Sequence, residues 1–391
     1  MDNTPGYSSE SFLPFSQKLK DQTPIIQPGK EKRRHVNTPF YIPWKKKDDY
    51  SYGIIGLHEE IEDFYEVMRP TEFEVEVRLR VIEHISSIVH ALWPYAIVEV
   101  FGSFRTGLYL PSSDIDMVII GEWKGLPLST LSEELTKNGI LSSDITIIAN
   151  ATVPIVRLLH SPSRIRVDIS FNVTNGVKAA HLIKSLMKKY PALPKLILVL
   201  KQFLIQRGLN EVYNGGMSSY CLTLLIVSQL QGYHKPKSLE SVNLGTLLIE
   251  FFEHYGINFN YEKVSIHFAN DQGNYQSKPR ATGACLLSVE DPLLKGNDVA
   301  RGTFLIHQLK RAFQNAFHTL HQLVTSSMLR EKAMDSFLSS IITIDPEELQ
   351  QREWLTTNYS KILKSLSPVK VTKDSQAPDA SISKNFKKKK R

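Results

Sequence analysis

Apolar residues recur at helical spacing over Gly56 to Met68 and over Phe73 to Leu92, where Val75, Val77, Leu79, Ile82, Ile85, Ile88 and Val89 mostly share a face. The period then shortens. Ile97 to Phe101, Ile115 to Ile120, Val153 to Leu159 and Ile165 to Phe171 are short, β-branched and bounded by Gly, Pro or Ser, which predicts strands. From Val177 onward helices return. Lys178 to Tyr190 sets Leu182, Ile183, Leu186, Met187 and Tyr190 on one face and Lys184, Lys188 and Lys189 on the other, before Pro191 and Pro194 break the run. Further helices are predicted over Lys195 to Gln206, Ser219 to Gln231, Leu244 to Tyr255, Arg301 to Leu323 and Met328 to Ile341. The ends lack apolar periodicity and read as mobile tails. The pattern is α+β: a basic tail over residues 1–53, a helix-plus-sheet domain over 54–176, a mostly helical domain over 177–345 and a second tail over 346–391.

The 391 residues, 42% hydrophobic, suffice for two or three domains. The longest apolar runs, such as Leu196 to Leu200 and Leu222 to Val227, fall far short of the ~20 residues of a membrane span, and the polar start Met1 to Glu10 does not read as a signal peptide. A soluble intracellular chain with no membrane partner is expected. Cys221 and Cys285 lie in apolar stretches without metal-ligand spacing, and read as two buried free thiols. The net charge of +7 is unevenly placed: residues 384–391 and residues 30–47 each carry +6, which leaves the body at −5. Basic clusters at both ends suit nuclear import or contact with nucleic acid phosphates, or they are solvated tails.

Chemistry concentrates between Phe101 and Ile120, FGSFRTGLYLPSSDIDMVII. Side chains at i and i+2 of a strand share a face, so Asp114 and Asp116 point together while Ile115 points inward. Two carboxylates on one face repel unless a cation lies between them, and an all-oxygen ligand set suits Mg²⁺ or Mn²⁺. Asp168 alternates with the apolar residues Ile165, Val167, Ile169 and Phe171. If its strand neighbours that of Asp116, the three carboxylates suit a two-metal site. Gly102 permits close backbone approach to phosphates, and Ser103 adds a hydroxyl donor.

FGSFRTGLYLPSSDIDMVI with RVDISFNVTNG resembles the DNA polymerase β-like nucleotidyltransferases, and specifically the non-canonical nuclear poly(A) RNA polymerases, catalytic subunits of TRAMP-type complexes that serve the RNA exosome. The likeness runs from about Trp44 to about Leu323 and includes GLHEEIEDFY, LPKLILVLKQFLIQRGLNEVYNGG, LLIEFFEHYG and EDPLLKGNDVARGTF. It implies a polymerase β-like catalytic domain with a mixed sheet, inserted within a helical central, PAP-associated domain, with residues 54–70 packing on the latter. It also implies catalytic and metal-holding roles for Asp114, Asp116 and Asp168, and nucleotide contacts at Gly102, Ser103, Gly176, Lys201, Ser219, Tyr220, Asn297 and Arg301. Read on their own, Lys201 is equally a snorkelling lysine, Ser219 a helix cap, Tyr220 a core residue and Gly296-Asn297-Asp298 a turn.

The activity so implied is template-independent addition of AMP from ATP to RNA 3′ ends, marking nuclear RNAs for exosome trimming or decay. Expected partners are a zinc-knuckle RNA-binding protein and an RNA helicase, with the exosome reached indirectly; the expected location is the nucleus, nucleoplasm or nucleolus. The alternatives of the same class are a terminal uridylyltransferase or a mixed-nucleotide terminal transferase, which share the triad, but related uridylyltransferases often carry a histidine in the recognition loop, and Leu293 to Phe304 has none. The reading from another class is a catalytically silent RNA-binding scaffold, for which three converging carboxylates have no use.

Overall fold

The computed structural model describes residues 42–47, 49–139, 141–150, 153–232, 242–269, 272–278, 286–326 and 336–365. The basic clusters at 30–34 and 384–391, and Cys285, lie outside the described residues.

Two helices open the described chain, α1 (Gly53–Met68) and α2 (Glu72–Leu92). The second starts on a reciprocal capping box, in which Thr71 accepts from the Glu74 N–H and the Glu74 carboxylate accepts from the Thr71 N–H. Then come β1 (Ile97–Phe101), the short α3 (Gly102–Thr106), β2 (Ile115–Ile120), α4 (Leu128–Lys137), β3 (Leu141–Ile148), β4 (Ile155–His160) and β5 (Ile165–Phe171). The five strands form one sheet in the order β1-β2-β5-β4-β3, with β2 and β5 parallel and the other pairs antiparallel. Alternation along β2 and β5 sends Ile115, Met117, Ile119, Val167 and Ile169 into a core shared with Val77, Val81 and Ile85 of α2 and Leu128, Leu131 and Leu135 of α4. The opposite face carries Asp116 of β2 and Arg166, Asp168 and Ser170 of β5, with Val118 buried alongside Ser170.

The helical part holds α5 (Asn175–Lys189), α6 (Leu193–Ile205), α7 (Ser219–Gly232), α8 (Leu244–Glu253), the hairpins β6 (Val264–Ala269) with β7 (Gln272–Ser277) and β8 (Glu290–Asp291) with β9 (Leu294–Asp298), α9 (Ile306–Thr325) and α10 (Pro346–Ser365). Among the described residues α7 is apolar nearly all round and buried from Cys221 to Gln231, as the centre of a bundle must be. Leu57, Ile61, Phe64 and Met68 of α1 belong to this second core, so the sheet domain is inserted between α1 and α5.

Two boundaries differ from the sequence expectation. Residues 42–50 are not tail: Ile42, Trp44 and Tyr50 are buried, and the Trp44 indole donates to Glu60 at 2.7 Å. Nor does the second tail begin at 346, because α10 covers the sheet domain with Leu355 and Ile362 in its core. Its start carries ordinary signals: Asp345 accepts from the Glu347 N–H at 3.0 Å, Pro346 holds the first helical position, and Glu347 and Glu348 face the positive end of the dipole. The helix expected over Met328 to Ile341 lies partly outside the described residues, and its described end is a 3-10 turn, Leu338–Ser340. The buried Glu60 carboxylate shapes that turn by accepting from the N–H groups of Phe337 and Leu338 at 2.6 and 3.0 Å, and from the Ser336 hydroxyl.

Candidate active site

The polar face of the sheet and the helical domain enclose a cleft of about 760 Å³. Asp114 and Asp116 line it, together with Gly102, Ser103, Gly176, Lys201, Ser219, Tyr220 and Asn297. Asp116 and Asp168 are Cα partners in the parallel β2–β5 ladder, which puts both side chains on one sheet face. Asp168 is also held from its other side. Arg157, the Cα partner of Asp168 on β4, donates from Nε and Nη2 to the two oxygens of Asp168 at 2.8 and 2.6 Å. Among the described residues no three acidic or imidazole groups stand ready around one ion.

Electrostatics favour a cation here. Burial, then the neighbouring charges of Asp114 and Asp168, push the Asp116 carboxyl up to about 8, against the opposing pull of Lys201 and Arg157. Lys201, rising from the otherwise apolar α6, is pushed down to about 8 by burial, although Asp114, Asp116 and Glu348 favour its charge. Its ammonium donates to the Leu108 carbonyl at 2.9 Å. A Cβ on Gly102 would stand 1.9 Å from Oδ2 of Asp116, and the backbone there has φ +63°, so turn and carboxylate together demand glycine. The donor set, hard oxygens on a repelling buried pair, fits Mg²⁺ or Mn²⁺.

The loop before β2 is held from beneath. Arg78, fully buried, donates to the carbonyls of Pro111, Ser113 and Asp114 at 3.3, 2.7 and 3.3 Å and lies over the Tyr109 ring. The Ser112 hydroxyl donates to Glu348 of α10 at 2.7 Å. Across the cleft, Ser218 rather than Ser219 caps α7, accepting from the Cys221 N–H at 3.1 Å, which leaves Ser219 at the cleft wall. Asp291 gathers the β8–β9 hairpin: one oxygen accepts from the Tyr220 hydroxyl at 2.9 Å, the other from the Asn297 amide at 3.0 Å. Burial and this carboxylate push the Tyr220 hydroxyl up, keeping it a neutral donor. Gly176 lets the start of α5 sit against the Phe101 ring, 2.4 Å from where a Cβ would be. Arg301 is not among the cleft-lining residues; it is exposed, and its N–H donates to the Asp298 carbonyl at 3.2 Å.

Sequence reasoning missed Arg157, Arg78 and Asp291. No local pattern marks the first two, whose partners are 11 and about 35 positions away. Asp291 lies within EDPLLKGNDVARGTF but reads there as one acid among several.

Residues 57–188 match the family of the mitochondrial-like poly(A) RNA polymerase central palm domain, and residues 243–297 that of the Cid1 family poly A polymerases. The chain is 38% identical to the inactive non-canonical poly(A) RNA polymerase protein Trf4-2 of Drosophila melanogaster, over 82% of each. It is 35% identical to the poly(A) RNA polymerase cid14 of Schizosaccharomyces pombe over 84% of its own length, and spans only 51% of that protein. The solved polymerase core of TRAMP, an RNA surveillance complex, aligns with a TM-score of 0.68 and 33% identity, covering 78% of this chain and 100% of that one.

Proposed function

The chain belongs to the non-canonical poly(A) RNA polymerase family, and from that premise we propose that it is an active, template-independent nucleotidyltransferase that adds adenylate from ATP to RNA 3′ ends. Family alone does not decide activity, since the Drosophila relative is an inactive one. The observation that carries the proposal is the acidic pair Asp114 and Asp116 in the cleft, with Asp168 paired to Asp116 and Gly102 against its carboxylate.

Asp114, Asp116 and Asp168 are the residues to hold the divalent ions that the family's reaction uses, Asp168 by releasing one of its bonds to Arg157. Bound there, such ions supply charge neutralisation for the primer oxygen and the leaving pyrophosphate. In the reaction the RNA 3′ oxygen bonds to the α-phosphorus of ATP, the bond to the β-phosphate oxygen breaks, and the hydroxyl proton is released. This chain's own residues bind and orient. Gly102 and Ser103 at the start of α3, Ser219 at the start of α7 and Lys201 surround the space for a triphosphate. Tyr220, held by Asp291, offers a ring for the base, and the Asn297 amide stands beside it to read the base edge. Likeness to the TRAMP polymerase core supports work alongside a zinc-knuckle RNA-binding protein and an RNA helicase in the nucleus, upstream of the exosome.

Primer extension with each of the four nucleotides tests the reading, using wild type and the Asp114→Ala/Asp116→Ala variant. ATP should be used best, and the variant should be folded and inactive. Preferred use of UTP would make the chain a uridylyltransferase. No extension with any nucleotide would make it a silent scaffold like its inactive relative, and substantial activity in the double variant would overturn the site.

A further inference from the structure

The body of this chain is mildly acidic, yet its substrate is a polyanion, so some surface must offset the repulsion. Helix α5 is one basic surface among the described residues. It carries four lysines and no acidic residue, NGVKAAHLIKSLMKK. Lys178, His181, Lys184, Ser185, Lys188 and Lys189 are exposed, while Leu182, Ile183, Leu186 and Met187 turn toward the helical core. No carboxylate of a described residue pairs with Lys178, Lys184 or Lys188, although ion pairs are common elsewhere on this surface. Favourable interaction with the helix dipole accounts for Lys188 and Lys189 in the last turn; it does not account for Lys178 and Lys184.

The helix also has a direction. Its first turn, through Asn175, Gly176, Lys178 and Ala179, lines the cleft that holds Asp114 and Asp116, and the remaining lysines follow away from it. From Lys178 to Lys188 the axis advances ~15 Å, about the length of four stacked nucleotides at ~3.4 Å each. We propose that the exposed face of α5 is the track for the RNA strand, holding the phosphates of roughly the last four nucleotides while the 3′ end lies in the cleft. Contacts of ammonium with phosphate are blind to sequence, which suits an enzyme that must accept many 3′ ends. The track deepens the reading of the cleft as an RNA 3′-end transferase and rests on it.

The test uses the full chain with Lys184→Gln/Lys188→Gln, two exposed positions beyond the cleft, and two primers, an oligo(A) of fifteen nucleotides and one of three. The salt slope of binding to the long primer should fall by about 1.4, two contacts at ~0.7 each. KM for the long primer should rise about 5–10-fold, with KM for ATP, kcat and KM for the short primer unchanged. Lys184→Arg/Lys188→Arg should restore wild-type values. An unaltered salt slope and KM would overturn the track and leave the lysine face to an acidic protein or to solvent alone. Equal losses on both primers would overturn it too, because they would place the defect in the cleft. If wild type extends neither primer, the transferase reading fails, and the binding slope still decides the track.

Discussion

Arg157 and Asp168 face one another across β4 and β5 and share two hydrogen bonds, 2.8 and 2.6 Å long. The Asp168 carboxylate is thus neutralised from the side away from Asp116. Arg157 also opposes the rise of the Asp116 carboxyl, which burial, Asp114 and Asp168 push to about 8. In Arg157→Gln the carboxylates lose this balance, and a divalent cation has more repulsion to relieve. The rise in Tm produced by Mg²⁺ should exceed the wild-type rise by ~2–4 °C, the shift expected of ~1 kcal/mol in domains of 150–250 residues. A Mg²⁺ increment no larger than wild type would sink this role.

Gly102 and Gly107 separate backbone strain from collision. Both have positive φ, +63° and +76°, so alanine is strained at either, by roughly 1 kcal/mol. Only at Gly102 does the added methyl meet the Asp116 carboxylate; at Gly107 no described residue stands within 4 Å. Gly102→Ala should lower kcat at least ~10²-fold, whereas Gly107→Ala should lose stability alone. Similar kcat values for the two variants would contradict the argument.

His160 gives the fold an acid limit. It is fully buried, its Nδ1 lies 2.7 Å from the Ser163 hydroxyl, and its Nε2 has no hydrogen-bond partner among the described residues. Burial, then neighbouring His84, push it down to about 3. The folded protein keeps the ring neutral while the unfolded chain takes up a proton near 6.5. The associated stability is therefore present above pH 6.5 and is lost as pH falls from there toward 3, by about 2 kcal/mol at pH 5. Urea unfolding at pH 7.5 and 5.0 should show that loss in wild type and a smaller one in His160→Phe. Equal losses would remove His160 as the cause.

The last described helix belongs to the catalytic domain. Leu355 is buried in the sheet core, and Arg352 of the same helix binds Glu74 and the carbonyls of Val67, Met68 and Arg69. Leu355→Ala should cost ~2–4 kcal/mol. Ending the chain after Asp345 should abolish cooperative unfolding of the sheet domain, followed by circular dichroism in urea. A truncated chain with wild-type stability and activity would show α10 to be dispensable.

Sequence alone determined the elements whose periodicity is strong. Ile97–Phe101, Ile115–Ile120 and Ile165–Phe171 are strands at the expected residues, and α1, α2, α5, α6, α7 and α8 lie within a few residues of theirs. Alternation about Ile115 is local chemistry, so the shared face of Asp114 and Asp116 was legible without coordinates. Weaker segments were not: polar residues separate the apolar positions of α4, β3 opens on the polar run Ser142-Ser143-Asp144, and α10 has few apolar positions over its 20 residues. Tertiary structure alone decided everything that depends on register between distant segments. It paired Asp116 with Asp168, set Arg157 opposite Asp168, closed Arg78 under the Asp114 loop, brought Asp291 between Tyr220 and Asn297, and left Arg301 outside the cleft. The reason is physical. Side-chain spacing along one chain records which face a residue takes, whereas which strand or loop meets that face is settled by burying two cores at once.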